Sequence, residues 1–449
     1  MYKPSVLRSK EFPVTGTDPM ELEQEFDEKF SSDIDPIRNL GTYSTPVMDK
    51  NVFNIMQKYV NKNSIDSRSY RSLETIRKDL ISMVSLLLNL DDPYGEVMSG
   101  SSESIFISLL AHKFMWIERH GRPRKKLNMV TGYNVHNCFN KFAKFFDVDI
   151  RKVELNNKYE INTDIVESYI DDHTFCIVGV VCSTETGSLD DIAQLGKIAG
   201  KHDIPLHVDA ASGGFFLPFV RSDIIFDFRL NSVKSMNISG HKYGLIYPGI
   251  GIALIRRESV PYKLKSKITY LASGPLTHIN LLCTQNSSFM VGWYYNIKRF
   301  GFRGYRKIMR DLKTKAEYLR SEIERIRGIQ LASHSLFPVV AITSKHIKQI
   351  SRYLKERHWI QNPYKVASTD TEIIRIVVKP GMEDALLKEL VNDLRRAGTV
   401  CLKNASVSDD AKNVVCEKNT RRPWGGHRLP KDGRTGSVPM HMPIIRRTA

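Results

Sequence analysis

The chain has 449 residues, 41% of them hydrophobic and 26% charged, with 66 Lys and Arg against 49 Asp and Glu for a net charge of +17. That composition excludes collagenous, mucin-like and wholly disordered chains and leaves room for two or three domains. No run approaches the roughly 18 apolar residues that a membrane-spanning helix needs. The N-terminus has no signal-peptide core, so a soluble, non-secreted, cytoplasmic protein is expected.

Residues 1–40 form an acidic arm with 5 basic and 9 acidic side chains, and the run Glu21 to Glu28 reads as a short helix. From Thr42 to about Arg310 helical periods alternate with short β-branched runs. Strands are expected at Leu127–Thr131, Val148–Val153, Thr174–Val181, Pro205–Val208 and Gly249–Ile255. Strands interleaved with helices predict an α/β fold, a mostly parallel sheet covered on both faces. Ser188, three residues before Asp191, is the expected cap of a helix reaching His202. The strand after it leaves Asp209 at its carboxyl end, where ligands bind in open α/β sheets.

An amphipathic helix is expected over Ile308–Arg327, with Leu312, Ala316, Leu319, Ile323 and Ile326 on one face. It leads into a smaller α+β domain with strands at Phe337–Ile342 and Glu372–Val378 and a helix at Asp384–Arg396 stopped by Gly398. The division expected is an arm over 1–40, a large α/β domain over 41–310, a small α+β domain over 311–402 and a basic, flexible tail over 403–449. Residues 401–449 carry 10 basic and 4 acidic side chains, so most of the excess charge sits on the body. Six cysteines without Cys-x-x-Cys or zinc spacing predict free thiols in a reducing compartment, and no metal.

The strongest chemical signal is His207-Val-Asp-Ala-Ala-Ser-Gly-Gly214 followed by Ser239-Gly-His-Lys242. A lysine on a strand-to-loop segment can condense with a carbonyl when partly desolvated. An aspartate at a strand end can hold a pyridine nitrogen protonated, which turns the ring into an electron sink. The two together point to pyridoxal 5'-phosphate (PLP). Singly, each is weak, since such an aspartate is often only a cap and a lone lysine a solvated charge. Ser99-Gly-Ser-Ser-Glu103 opens a helical run and offers backbone N–H groups to a phosphate.

These segments, with Phe226-Asp-Phe-Arg-Leu230, Val233-Lys-Ser235 and Ser239-Gly-His-Lys-Tyr-Gly244, resemble the PLP-dependent glutamate decarboxylases of fold-type I from about Asp35 to Arg396. The resemblance implies that Lys242 carries the cofactor, Asp209 meets the pyridine nitrogen and Ala211 packs on the ring. Ser101 and Ser102, helped by Ser239 and His241, match the phosphate-binding residues. His136 matches the ring-stacking position, where glutamate decarboxylases often have glutamine. Thr184 matches a residue on the 3-hydroxyl side. Asn39-Leu-Gly-Thr-Tyr43 and Asn61-Lys-Asn-Ser-Ile-Asp66 resemble the segments that hold the distal carboxylate, which assigns Thr42, Tyr43, Asn63 and Asp66 to substrate. Arg375 matches the arginine for the α-carboxylate, a task suited to its two-pronged donor.

Tyr270 resembles a residue of the hairpin that closes over a neighbouring active site, and Thr284 a phosphate contact across the dimer. The resemblance therefore implies a homodimer or higher homo-oligomer with shared sites and a small amino-acid substrate. It also implies Lys242, His241 or Tyr270 as the group that returns a proton. The alternatives are another fold-type I decarboxylase, a carbon–carbon lyase of the sphingosine-phosphate-lyase type, or a non-catalytic basic interaction module. Charge alone suggests nucleic acid, and no nucleic-acid-binding motif accompanies it.

Overall fold

The computed structural model describes residues 12–416 apart from 67–68 and 272–273. Seven strands, β1 (Pro93–Met98), β2 (Asn128–Gly132), β3 (Asp149–Val153), β4 (Thr174–Val180), β5 (Leu206–Asp209), β6 (Val233–Ser239) and β7 (Gly251–Arg256), form one sheet in the order β1-β7-β6-β5-β4-β2-β3. The neighbours from β3 to β6 pair in parallel. β7, expected only as a strand, is antiparallel to both β6 and β1. The mostly parallel α/β sheet is thus as expected, with one reversed strand near its edge.

The helices are α1 (Pro19–Phe30), α2 (Lys50–Lys58), α3 (Arg71–Leu87), α4 (Ser101–His120), α5 (Cys138–Phe145), α6 (Ile192–Lys201), α7 (Leu217–Val220), α8 (Ser288–Glu324), α9 (Ile347–Lys355) and α10 (Asp384–Cys416). β4 is buried at every residue, which is why it reads as a continuous apolar run without alternation. Side chains alternate between two cores. Ile252 and Leu254 join Leu80, Leu195 and Leu312 of α3, α6 and α8, while Ala253 and Ile255 join Leu109 and Phe142 of α4 and α5. A four-stranded antiparallel sheet follows α8, built from β10 (Gln330–Leu331), β11 (Val339–Thr343), β12 (Tyr364–Lys365) and β13 (Glu372–Val377) in the order β10-β11-β13-β12. Between β7 and α8, β8 (Ser266–Ile268) and β9 (Leu276–His278) pair as a separate two-stranded ribbon.

Three local expectations need correction. The α6 cap is Asp191, whose carboxylate accepts from Gln194 N–H; Ser188 instead bonds Ser183 Oγ and the Tyr159 carbonyl. The helix expected from Ile308 begins at Ser288, bending at Gly301, where φ is 54° and ψ −176°. Gly398 does not stop α10, which continues to Cys416 and so enters the segment expected to be flexible. A Cβ at Gly398 would lie 2.9 Å from the Arg327 carbonyl oxygen, so close helix packing, not termination, explains this glycine. The described residues up to Leu402 form one compact unit, and a second begins at Lys403. The rest of the basic tail, including Arg421 to His427, lies outside the described residues. Among the described residues no helix is long and apolar enough to cross a membrane.

Candidate active site

The carboxyl ends of β4, β5 and β6 share one edge of the large sheet, and pairing of Met98 with Gly251 brings the start of α4 to the same edge. A cleft of about 370 Å³ opens there, lined by Ser101, Ser102, His136, Thr184, Asp209, Ala211, Ser239, His241 and Lys242. A second hollow of about 610 Å³ shares His136, Thr184 and Lys242 with it and adds Thr42, Tyr43 and Arg375. These residues lie far apart in sequence, and the two adjoining hollows bring them together.

Asp209 ends β5 and is buried; its Oδ1 accepts from Asn237 Nδ2 at 2.8 Å and from Ala211 N–H at 3.1 Å. Both bonds fall on one oxygen, which leaves the other for a partner in the cleft. Asn237 also donates to Ser101 Oγ at 3.3 Å, and Ser101 Oγ lies 2.7 Å from Ser239 Oγ. Asn237 therefore ties the carboxylate to Ser101 at the start of α4. Burial lowers the His241 pKa to about 4, so the ring is neutral, and its Nδ1–H donates to the Ile250 carbonyl at 3.2 Å. Its Nε2 is left as an acceptor.

Lys242 Nζ donates to Ser212 Oγ at 3.1 Å and lies 5.1 Å from the centre of the Tyr43 ring. Burial lowers its pKa, against the opposing pull of Asp209, and so makes the amine easier to free of its proton. The Arg375 guanidinium also lies 5.1 Å from the Tyr43 ring centre, so one aromatic side chain serves both cations. Tyr43 is held by its hydroxyl, which donates to the Ser183 carbonyl at 3.1 Å. The loop carrying it is fastened to the lysine segment, since Thr45 N–H donates to the His241 carbonyl at 2.9 Å and Thr45 Oγ to the Lys242 carbonyl at 2.9 Å. Arg375 donates to the carbonyls of Gly41 and Thr184, and its Nε is buried without a hydrogen-bond partner.

Four expected site residues do not reach this cleft within one chain. Thr284 is exposed and lines a different cavity of about 620 Å³, to which Ser64 and Ile65 also contribute. Asn63 Oδ1 accepts from Gln285 N–H at 3.2 Å, which places the Asn63–Asp66 segment beside the Thr284 loop. Tyr270, 78% exposed, follows β8. Sequence reading missed Ser212 and Asn237. The signal for Asn237 was the period-two spacing of Ser235, Asn237 and Ser239, three polar residues on one face of a buried strand.

A family model described as the pyridoxal-dependent decarboxylase conserved domain matches residues 42–345. The chain is a member of the pyridoxal-dependent decarboxylase family. Among this decarboxylase's relatives, a glutamate decarboxylase of Petunia hybrida is 32% identical over 388 residues, 81% of this chain and 77% of that protein. The Listeria monocytogenes glutamate decarboxylase beta is 33% identical over 398 residues, 82% of this chain and 85% of that one. The solved Lactobacillus brevis glutamate decarboxylase superposes with a TM-score of 0.83 at 29% identity, covering 87% of this chain and 94% of that one. A Burkholderia pseudomallei sphingosine-1-phosphate lyase shares the fold, with a TM-score of 0.79 at 20% identity and coverage of 92% and 97%.

The family's cofactor is pyridoxal 5'-phosphate, and the cleft of this decarboxylase fits it. The cap residue of α4, Gly100, makes no side-chain capping bond, so the helix start is not covered by its own cap. A Cβ at Gly251 would lie 2.7 Å from the Gly100 carbonyl carbon and 2.8 Å from Ser101 N, so only glycine lets β7 pack this closely against the start of α4. A lysine and a carboxylate in the same cleft supply the two remaining contacts that a pyridine aldehyde needs.

Proposed function

We propose that this carboxy-lyase converts L-glutamate into 4-aminobutanoate and CO2. The observation that carries the reading is the convergence of Lys242, Asp209 and Arg375 on adjoining hollows beside Thr42. The relatives from petunia and Listeria, a third identical over four-fifths of the chain, support glutamate as substrate.

Pyridoxal phosphate, when bound, supplies a ring that draws away the electron pair left on the substrate carbon as CO2 departs. Lys242 holds the cofactor through Nζ, whose lowered proton affinity frees the amine to bond an aldehyde. Asp209 would hold a proton at the ring nitrogen. Ser101, Ser102 and Ser239 would bind the phosphate with the start of α4, beside the neutral His241, while Ala211, His136 and Thr184, which line the same cleft, would pack around the ring. Arg375 binds the α-carboxylate and orients the bond to be cut. Proton return would fall to Lys242 or, from a second copy, to Tyr270; the neutral His241 ring, expected as a third donor, spends its only N–H on the Ile250 carbonyl and has none to give.

Thr42 and Tyr43 line the substrate end, and Asn63, Asp66, Tyr270 and Thr284 serve the site of a second copy. Their distance from the cleft of their own chain supports a homodimer or a larger assembly of dimers. In this scheme residues 41–310 form the cofactor domain and 311–402 the domain that brings Arg375. Four free cysteines, Cys138, Cys176, Cys182 and Cys283, support a reducing, cytoplasmic setting. The test is a screen of amino acids for CO2 release by the PLP-reconstituted protein from acidic to neutral pH. Glutamate is expected to lead, and preference for a non-acidic amino acid would overturn the substrate assignment.

A further inference from the structure

Asp209 is the end of a buried hydrogen-bonded chain that crosses the sheet to α4. Asn237 Nδ2 lies 2.8 Å from Asp209 Oδ1, and Asn237 Oδ1 lies 3.0 Å from His207 Nε2. His207 Nδ1 lies 2.7 Å from Ser235 Oγ, which lies 2.7 Å from His112 Nε2. Pairing of His207 with Ser235 and of Asp209 with Asn237 puts four of the five residues on one face of β5 and β6, and α4 contributes His112 from above. Asp209 is 5% exposed and the other four are at most 1% exposed, so no bulk water competes for these bonds.

The direction of every bond follows from its neighbours. A carboxylate accepts, so the Asn237 amide nitrogen faces Asp209 and its carbonyl faces His207. His207 must then carry its proton on Nε2, and as a neutral ring it accepts at Nδ1 from the Ser235 hydroxyl. That hydroxyl has no second proton, so His112 donates to it from Nε2. Burial keeps both rings neutral, with His207 lowered to about 4 and His112 to about 3. The charged or titratable groups acting on them are Asp209 on His207, and His207 and Lys234 on His112. All the donors point the same way, and each dipole presents its positive end toward the carboxylate.

We infer that His112 is a positioning residue for the reaction: it sets the polarity of a one-way chain that holds Asp209 as an oriented acceptor for the cofactor's ring nitrogen. The inference rests on the PLP site proposed above. It goes beyond that site by assigning a role to a helix residue outside the cleft, and by assigning one tautomer to each of two buried histidines.

The test uses the full-length protein. In the apoprotein, 15N resonances of labelled histidine should report His112 and His207 both as neutral rings protonated at Nε2. In His112→Phe, equilibrium titration with PLP should show affinity lower by about 3- to 10-fold, the scale of one hydrogen bond's net worth. The 15N signal of labelled, bound PLP should also show the ring nitrogen losing its proton at lower pH than in wild type. His112→Gln keeps an N–H donor and should restore most of both properties, which a packing role alone would not require. A His207 ring protonated at Nδ1 overturns the inference, as does a folded His112→Phe protein with unchanged PLP affinity and unchanged ring-nitrogen titration. Failure of the wild-type protein to bind PLP would instead overturn the site reading beneath it, while the apoprotein tautomers still report the chain itself.

Discussion

Arg375, on a strand of the small sheet, donates to the main-chain carbonyl of Thr184, in the loop that follows strand β4 of the large sheet. The same guanidinium reaches the Gly41 carbonyl, so a single side chain joins the two sheets and the segment that leads to Tyr43. Its Nε is buried and has no hydrogen-bond partner, and the proposed role of the side chain is to bind the substrate's α-carboxylate.

Replacement of Arg375 by alanine should therefore lower kcat/KM by about 30- to 1,000-fold, the usual cost of removing one member of a buried charge pair. The bound cofactor's visible absorption should persist, because Lys242 is untouched. Steady-state CO2 release and an absorption spectrum decide it, and activity within about threefold of wild type would remove Arg375 from the substrate site.

Gly251→Ala tests the packing of β7 beneath the start of α4, where the phosphate is proposed to bind. The new methyl would meet the Gly100 carbonyl carbon at 2.7 Å and Ser101 N at 2.8 Å, backbone atoms that cannot swing aside. We expect a loss of about 1–3 kcal/mol in apoprotein stability together with weaker PLP binding. Chemical denaturation and PLP titration measure the two, and unchanged PLP affinity would place the phosphate elsewhere.

The shared-site proposal predicts complementation between inactive chains. A Lys242→Ala chain and a chain carrying both Asn63→Ala and Asp66→Ala should each be inactive toward glutamate. Randomly mixed dimers would regain about a quarter of wild-type activity, because one site in each mixed dimer receives every intact residue. No recovery after verified subunit exchange would return Asn63 and Asp66 to a purely structural role.

Stability should follow the buried histidines. The folded pKa values of His207 and His112, about 4 and about 3, lie below the unfolded value near 6.5. Between these limits the unfolded chain binds more protons. The contribution is thus complete above pH 6.5 and is lost as pH falls through the folded values, on the order of a few kcal/mol in all. Urea unfolding of the apoprotein at several pH values should show this decline, and a His112→Phe protein should show a shallower one. A flat wild-type profile from about pH 6.5 to about pH 4 would contradict the neutral, buried assignment of these rings.

Much of the fold was legible because apolar runs and strand-end residues are local signals. β4 and β5 were read within one residue at their ends, and Asp209 and Lys242 stood out through neighbouring glycines and serines. Direction was not legible. The reversal of β7 depends on pairing with β1 and β6, which a run of apolar residues does not encode. Helix ends misled where tertiary packing overrode propensity, as at Gly398, whose missing side chain admits a neighbouring carbonyl. The network behind Asp209 was hidden for a similar reason. His112 lies well over a hundred residues from Ser235 along the chain, and only the packing of α4 on the sheet brings them together.

The most direct measurement follows the carboxyl group itself. The PLP-reconstituted protein is given glutamate labelled with 13C at the α-carboxyl carbon, beside Lys242→Ala as control. The label should appear in CO2 with an equal amount of 4-aminobutanoate, and Lys242→Ala should release none. Label retained in an amino-acid or keto-acid product by the wild-type protein, or equal release by Lys242→Ala, would contradict the assignment.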